Sequence, residues 1–407
     1  MNSLPTFQPR DGDEIAAFLR EHSLAGSAVL ARGGGSKAAF GTPPRGGETV
    51  LDLSSLSGIT LYEPGELVLT ARAGTKIAEI AAAVAEKGQC LAFEPPEFGA
   101  LLDGGTSTLG GTVASGWSGP RRIKAGAVRD HVLGALAVGG DGEVFKSGGR
   151  VVKNVTGFDL PKLLSGSHGT LAVMTDITIK VLPAPEATRT LVVLGLDADA
   201  AIRWLSNVLG GPFEVTGAAH LPQGVCGRSA VDAVAKTGMS ATLIRLEGFG
   251  LSVADRFAAL EARLGQGNPH LGLDDEACAV LWREIRDVAA FVGTDRIVWR
   301  LSLPATDAAR TVAAIAKATG AEAFYDWGGG LVWLSLPNDG LSDGHAETVR
   351  RLLPSGHATL MRAPAEIRGK ATIFQPPAPA LAALQQRVKA AFDPRGILAP
   401  GHLVVNA

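Results

Sequence analysis

Glycine constrains this chain more than any other residue. There are 52 glycines among 407 residues, against roughly 28 at the usual share of ~7%. They are unevenly spread: 29 lie in residues 1–185, 21 in 186–371 and 2 in 372–407, and 17 of them fall between Gly99 and Gly169. Glycine permits left-handed backbone and close approach of one backbone to another group. The first part of the chain must therefore bring backbone against something repeatedly. No Gly-X-Y period runs through it, so collagen is excluded. Two familiar uses of glycine at nucleotides are excluded as well. A Rossmann turn needs G-x-G-x-x-G between a strand and a helix, but Gly33 and Gly35 are followed by Ala38, and Gly140 and Gly142 by Phe145. No G-x-x-x-x-G-K-[ST] sequence occurs.

Composition narrows the class further. Apolar residues make up 46% and charged residues 19%, with a net charge of −2. Such a chain buries a core and is not disordered, and nothing in its charge supports a nucleic-acid partner. Cys90, Cys226 and Cys278 lack the close spacing of zinc, iron–sulfur or disulfide frameworks. A reducing, cytoplasmic setting is the natural expectation. The opening residues have no basic stretch followed by an apolar one, so no signal peptide is expected. No apolar run is long enough for a membrane span.

Periodicity predicts an α+β fold with short strands and few long helices. A helix is expected at 11–24, capped by Asp11 or Asp13, with Ile15, Phe18 and Leu19 on one face. Strands are expected near 49–56, 67–74 and 169–183, a helix at 76–87 capped by Thr75, and a hairpin over 131–148 turned at Gly139–Gly142. Pro183 to Pro185 reads as a linker. Beyond it come four strand–helix units, with helices at 198–209, 252–264, 306–319 and near 344–353. Their repetition predicts ferredoxin-like packing on an antiparallel sheet. The expected domains are thus 1–185, 186–371 and a tail, 372–407, that returns to the first domain.

Four glycine segments carry a chemical signal. Arg32-Gly33-Gly34-Gly35-Ser36-Lys37 can form a nest of backbone N–H groups for anionic oxygens. Thr108-Leu109-Gly110-Gly111-Thr112-Val113-Ala114-Ser115 places hydroxyl donors around a Gly-Gly pair. Gly166-Ser167-His168-Gly169-Thr170-Leu171-Ala172-Val173 leads a glycine turn into a strand, and Phe392-Asp393-Pro394-Arg395-Gly396-Ile397-Leu398-Ala399-Pro400-Gly401 closes the chain. Each alone is an ordinary loop. In this order they resemble the flavoproteins of the vanillyl-alcohol oxidase superfamily, whose PCMH-type module binds FAD between two α+β subdomains. Asn154 to Leu164, Gly126 and Asp130 add to the resemblance, which covers residues 1–185 and 372–407. Within the superfamily, the length, the short cap and the stretch from Lys153 to Val173 are most similar to the second FAD-binding subunits of bacterial glycolate oxidases.

The resemblance implies an α+β module of two subdomains with a ferredoxin-like cap. It also implies FAD held by Arg32, Gly33, Gly34, Gly35, Ser36, Lys37, Thr108, Leu109, Gly110, Gly111, Thr112, Ala114, Ser115, Gly169, Thr170, Ala172 and Val173. Ser36 stands where covalently flavinylated relatives carry His, which implies non-covalent FAD. It further implies a subunit of a multi-subunit 2-hydroxy-acid (glycolate) dehydrogenase. A sister flavin subunit and an iron–sulfur subunit are then the expected partners, with peripheral attachment to the inner face of a membrane only through them.

The catalytic side is thinner. Oxidising a 2-hydroxy acid needs a carboxylate clamp and a proton acceptor. His345 and His357 are 12 residues apart, so the His-rich metal motif of catalytic relatives is not visible and no metal is expected. Arg245, Glu247, Trp299, Arg300, Trp327 and Trp333 are candidate cap residues. Alternation places Arg245 and Glu247 on one sheet face, which is either a substrate surface or a solvent face. No catalytic base is assigned. A free-standing flavin oxidoreductase of a hydroxy acid or polyol, and a non-catalytic scaffold that docks partners, are the alternative readings. Asn154-Val155-Thr156 matches a glycosylation sequon that a cytoplasmic chain would leave unused.

Overall fold

The computed structural model describes residues 4–151, 157–264 and 267–401. The Asn154-Val155-Thr156 segment and His402 lie outside them. The chain forms two compact units: Met1–Ser118, Gly126–Pro183 and Pro376–Ala407 make the first, Gly119–Ala125 and Ala184–Gln375 the second. Among the described residues no helix is long and apolar enough to cross a membrane.

The first unit holds two sheets. In the smaller, β1 (Thr6–Phe7) and β2 (Val29–Arg32) both run parallel to β3 (Thr49–Asp52), which lies between them. The helix Gly12–Ala25 connects β1 to β2. Asp11 caps it by accepting the Glu14 N–H at 2.9 Å, and Gly26, left-handed at φ 66°, ends it. Its face of Ile15, Phe18 and Leu19 is buried against Val29, Leu51, Val138 and Val173. Each such side chain contributes roughly 1.5–3 kcal/mol on burial.

The larger sheet is antiparallel. Its strands are β4 (Ile59–Glu63), β5 (Val68–Arg72), β7 (Val132–Gly139), β8 (Val144–Gly148) and β9 (Ala172–Lys180), in the order β4-β5-β9-β7-β8. A two-stranded ribbon pairs β6 (Gln89–Cys90) with β10 (Leu182–Pro183). The hairpin β7–β8 turns over Gly139–Gly142, where the sequence placed it. The helix Ile77–Ala85 differs from expectation at its start. Lys76 is the N-cap, without a side-chain bond, and Thr75 is not a cap. Its Oγ1 donates to the Arg72 carbonyl at 2.7 Å and accepts from the Gly58 N–H at 2.9 Å. The hydroxyl closes the turn leaving β5, so it is already spent two residues before the helix begins.

Of the tail, Pro376–Ala407 belongs to this first unit, while 372–375 stay with the second. Leu398 bridges Val29 in parallel. Lys389, on the helix Pro379–Phe392, pairs with Asp393 and donates to the carbonyls of Thr170 at 2.6 Å and Leu398 at 2.9 Å.

The second unit is one antiparallel sheet of eight strands with helices. Its strands are β11 (Ala187–Leu194), β12 (Gly217–Leu221), β13 (Ala241–Gly248), β14 (His270–Leu273), β15 (Ile297–Ser302), β16 (Glu322–Asp326), β17 (Leu331–Leu336) and β18 (His357–Arg362). The order β14-β11-β13-β12-β16-β17-β15-β18 resolves into two βαββαβ halves, each ferredoxin-like, set side by side. The helices Ala198–Leu209 and Gly250–Leu264 complete the first half, Ala305–Thr319 and Ala346–Leu352 the second. All four follow the strands that the sequence paired with them. The halves join through β12 and β16, registered at His220 opposite Tyr325. The fold is therefore α+β throughout, with a ferredoxin-like cap built twice over.

Candidate cofactor site

Two glycine loops of the first unit lie backbone to backbone. The first leaves β2 as Gly33-Gly34-Gly35. The second, Gly104 to Thr108, runs beside it, with Gly35 bridging Thr106 in parallel. A Cβ on Gly34 would stand 2.2 Å from the Thr106 carbonyl oxygen, and one on Gly105 would stand 2.0 Å from that of Gly34. No side chain fits at either position. Much of the glycine excess thus serves the contact of one loop with the other, and the ligand face is what this contact leaves open.

The helix Leu109–Ser115 follows. Thr108 is its N-cap, and Gly116, at φ 70°, ends it. Two glycines in its first turn cost about 1 kcal/mol each in helix propensity. Gly110 returns that cost by packing, because its Cβ position lies 2.8 Å from the Ala73 Cβ. Gly111 is different. A Cβ there would meet Thr108 Oγ1 at 3.3 Å and Lys37 Nζ at 3.9 Å. Its bare backbone leaves the lysine ammonium reachable.

A cavity of about 340 Å³ opens over these loops. Arg32, Gly33, Gly34, Gly35, Ser36, Lys37, Thr108, Gly110, Gly111, Ala114, Ser115, Gly169, Ala172 and Val173 line it. The fold brings these fourteen positions from three separate segments to one cavity. Leu109, Thr112 and Thr170 do not line it. Leu109 and Thr112 point into the core of the unit, fully or nearly fully buried, and the Thr170 hydroxyl donates to the Ser167 carbonyl at 2.7 Å. Arg32 lines the cavity, but its guanidinium is held by Asp52 at 2.8 Å.

Lys37 is the cation that remains. It donates to Ser36 Oγ at 3.2 Å and lies 5.8 Å from the Trp117 ring centroid. Ser36 Oγ in turn receives Ser107 Oγ at 3.2 Å, and Ser107 is bound through its N–H and hydroxyl to Glu97. Burial lowers the Lys37 pKa to about 8, against the opposing pull of Glu97. A buried amine poised this way gains most from an anion.

Phe40, Ala73, Met174 and His168 also line the cavity, and the sequence reading did not assign them. His168 stands in the left-handed region at φ 53°, with its ring 5.6 Å from Phe40 and 6.0 Å from Trp117. Its signal was present in the Gly166–Val173 segment, where the glycine pattern drew attention away from it. Gly126 and Asp130 make a local turn instead, Asp130 accepting the Ala127 N–H at 2.9 Å.

The donor set fits a dinucleotide with two phosphates. A glycine cradle, hydroxyls at Ser36 and Thr108, and one desolvated ammonium suit the pyrophosphate, whereas the Ser115 hydroxyl donates to the Thr112 carbonyl at 3.1 Å. The apolar wall of Leu30, Val50, Leu53, Ala172 and Met174 suits flat ring surface.

In the second unit the candidates separate. Arg245 and Glu247 are 2% and 6% exposed at the side chain, so their face is neither a solvent face nor an open surface. Arg121 grips Glu247 with Nη2 at 2.6 Å and Nε at 2.9 Å, and Arg245 lies 4.5 Å from the Trp282 ring centroid. Burial alone would raise the Glu247 carboxyl; Arg245 and Arg121 outweigh it and hold the pKa at about 2. Trp299 is fully buried, with Nε1 donating to the Gly344 carbonyl at 2.9 Å, and Trp333 is buried too. His345 contacts the Pro337 carbonyl and Asp339. Of this group Arg300 and Trp327 are half-buried, not fully enclosed.

Comparison with known proteins agrees with the cavity. The model of a FAD binding domain matches residues 5–148. Glycolate oxidase subunit GlcE of Escherichia coli (strain K12) is 34% identical over 398 residues, 97% of this chain and 98% of its own length. Glycolate oxidase subunit GlcD of Bacillus subtilis (strain 168) is 33% identical over 201 residues, 49% of this chain and 42% of its own. Among solved structures, 4-ethylphenol oxidase from Gulosibacter chungangensis aligns with a TM-score of 0.71 at 14% identity, over 98% of this chain and 89% of that one. Alkyldihydroxyacetonephosphate synthase aligns at 0.68 and 15%, over 97% and 76%. These two bear on the fold alone, whereas the GlcE alignment covers 97% of the chain and so takes in both units. The glycine loops, the cavity over them and that end-to-end alignment have one common explanation: this chain belongs to the GlcE family of glycolate oxidase subunits, FAD-binding oxidoreductases of the vanillyl-alcohol oxidase fold.

Proposed function

We propose that this chain is the second flavin subunit of a multi-subunit dehydrogenase that oxidises glycolate, or a close 2-hydroxy acid, to the 2-oxo acid. The observation that carries the reading is the alignment with glycolate oxidase subunit GlcE across 97% of the chain. The half-length alignment with GlcD supports a related flavin subunit as its partner, and an iron–sulfur subunit completes the expected assembly.

FAD supplies the two-electron acceptor. The chain's own residues bind and orient it. Gly33 to Lys37 with Gly110, Gly111, Ala114 and Ser115 receive the pyrophosphate, Lys37 supplies positive charge, and Gly169, Ala172 and Val173 form the wall beyond. Ser36 offers no imidazole for a flavin linkage, so FAD is held without a covalent bond. The buried state of Lys37 excludes water from the anion it faces and strengthens that contact.

The test is co-expression with and without the partner subunits. The purified chain is expected to be yellow, to release FAD on denaturation, and to reduce a dye with glycolate only in the assembled complex. Turnover by the isolated chain on the order of 10 per second, an ordinary enzyme rate, would refute the need for partners and favour a free-standing oxidoreductase. A colourless, folded chain would refute the flavin role.

A further inference from the structure

In the second unit, β15 lies between β17 and β18. Trp299 packs inward and bonds Gly344. The next residue, Arg300, leaves the sheet on the opposite face, across from Trp333 on β17 and Thr359 on β18. Its guanidinium carbon lies 5.3 Å from the Trp327 ring centroid. Arg122 lies 4.3 Å from the same centroid. It comes from the segment Gly119–Ala125, which belongs to this unit. Among the described residues, neither side chain has a hydrogen-bond or ion-pair partner.

The tryptophan that both approach is held at its backbone and at its ring. Trp327 N–H donates to Asp326 Oδ1 at 2.7 Å, and Nε1 donates to the Gly119 carbonyl at 3.1 Å. Its backbone sits at φ 53°, a region a bulky side chain enters only when its surroundings over-determine it. The chain thus holds a strained aromatic plate with two guanidinium groups against it. Cation–π contact is too weak to cover the desolvation of Arg300 together with its repulsion by Arg122. Burial first, and Arg122 second, lower the Arg300 pKa to about 10 despite Asp326. An anion would relieve both costs. Guanidinium is the group best matched to a planar carboxylate, which it can grip with two N–H donors.

We infer that Arg300 and Arg122, gathered on the Trp327 indole, form a binding subsite for a small carboxylate of the 2-hydroxy- or 2-oxo-acid class. The anion site follows from the two unpaired arginines, and the choice of a carboxylate rests on the function proposed above.

The test uses the full chain as purified with FAD, titrated with glycolate by calorimetry and followed by tryptophan fluorescence. Saturable binding is expected, with the affinity lowered about tenfold or more in Arg300→Gln and about threefold or more in Arg122→Gln, the scale of one or two charge-assisted hydrogen bonds. Trp327→Phe should remove the fluorescence change while calorimetric binding persists. Arg300→Lys, which keeps the charge and loses the fork, should fall between wild type and Arg300→Gln, and it serves if the glutamine variant does not fold. Unchanged affinity in Arg300→Gln or Arg300→Lys, with FAD content and melting temperature also unchanged, would overturn the subsite. Tighter binding of inorganic phosphate than of glycolate would overturn the carboxylate assignment. Loss of binding in Arg300→Gln together with no turnover by the assembled complex carrying the wild-type chain would count against the proposed function alone.

Discussion

Lys37 ties flavin binding to pH in a way that can be worked through. Its pKa is lowered to about 8 by burial, from an unfolded value near 10.4. Between those two values the folded chain without cofactor binds fewer protons than the unfolded chain. Its stability therefore rises with pH across that window, and falls as pH drops through 8. The full cost at neutral pH is on the order of 3 kcal/mol, from about 1.4 kcal/mol per pH unit. FAD reverses the sign. Two phosphate charges beside the ammonium raise its pKa, so the loaded protein holds the proton where the empty one has lost it. Affinity should be flat below pH 8 and fall by up to about tenfold per unit above it, until the loaded pKa is reached.

The assay is FAD affinity by fluorescence quenching from pH 7 to 9.5, beside chemical denaturation of the FAD-free chain at the same pH values. Over pH 8–9.5 the apo stability should rise while the affinity falls. Lys37→Met should flatten both lines and lower FAD affinity at pH 7. Affinity that is level with pH in the wild type, or a slope that survives in Lys37→Met, would refute the reasoning and remove Lys37 from the pyrophosphate site.

Two further tests address the glycines and the second unit. Gly34→Ala should lower the melting temperature sharply, because its Cβ would lie 2.2 Å from a backbone oxygen and overpacking costs about 1–3 kcal/mol. Gly111→Ala should fold at least as stably as wild type, gaining about 1 kcal/mol of helix propensity, yet hold FAD more weakly because it narrows the approach to Lys37; equal flavin content in both variants would contradict the division of roles. Glu247→Gln leaves Arg121 and Arg245 buried without their carboxylate and should cost about 3–5 kcal/mol in denaturant unfolding. The Glu247 pKa is lowered from 4.5 to about 2, so its contribution is complete above pH 4.5 and lost as pH falls through 2. The variant should lack that acid-side slope.

The parts of the fold legible in the sequence are those with a local cause. The helix Gly12–Ala25 was readable because Asp11 caps it, Gly26 ends it and its apolar residues share one face. The helix Leu109–Ser115 was not, since Gly110 and Gly111 mask it. Its stability comes from Gly110 against Ala73, a contact between residues 37 apart in sequence. Thr75 illustrates the same limit at smaller scale. A threonine before an apolar stripe reads as a cap, and only the chain turning back at Gly58 reveals that its hydroxyl is committed elsewhere.

Charge was harder to read than glycine, for a physical reason. Glycine reports its own backbone, so a cluster of glycines marks a loop whatever surrounds it. An arginine reports nothing until its neighbours are known. In the sequence Arg32 is a candidate for FAD and Arg245 and Arg300 are candidates in the cap, and none of the three shows its partner. The fold gives the first to Asp52, stacks the second on Trp282 beside Glu247, and gives the third only the distant pull of Asp326, with burial and Arg122 acting against it. The short segment Gly119–Ala125 makes this last difference. It brings Arg121 to Glu247 and Arg122 to Trp327, so two adjacent residues meet opposite electrostatic fates, the first neutralised and the second set beside another positive charge. Nothing in the run Arg121-Arg122 distinguishes them. The distinction lies in Glu247 on β13 and Trp327 just after β16, more than a hundred residues downstream, and it is the second arginine, without an ion pair among the described residues, that leaves this unit with charge to offer a ligand.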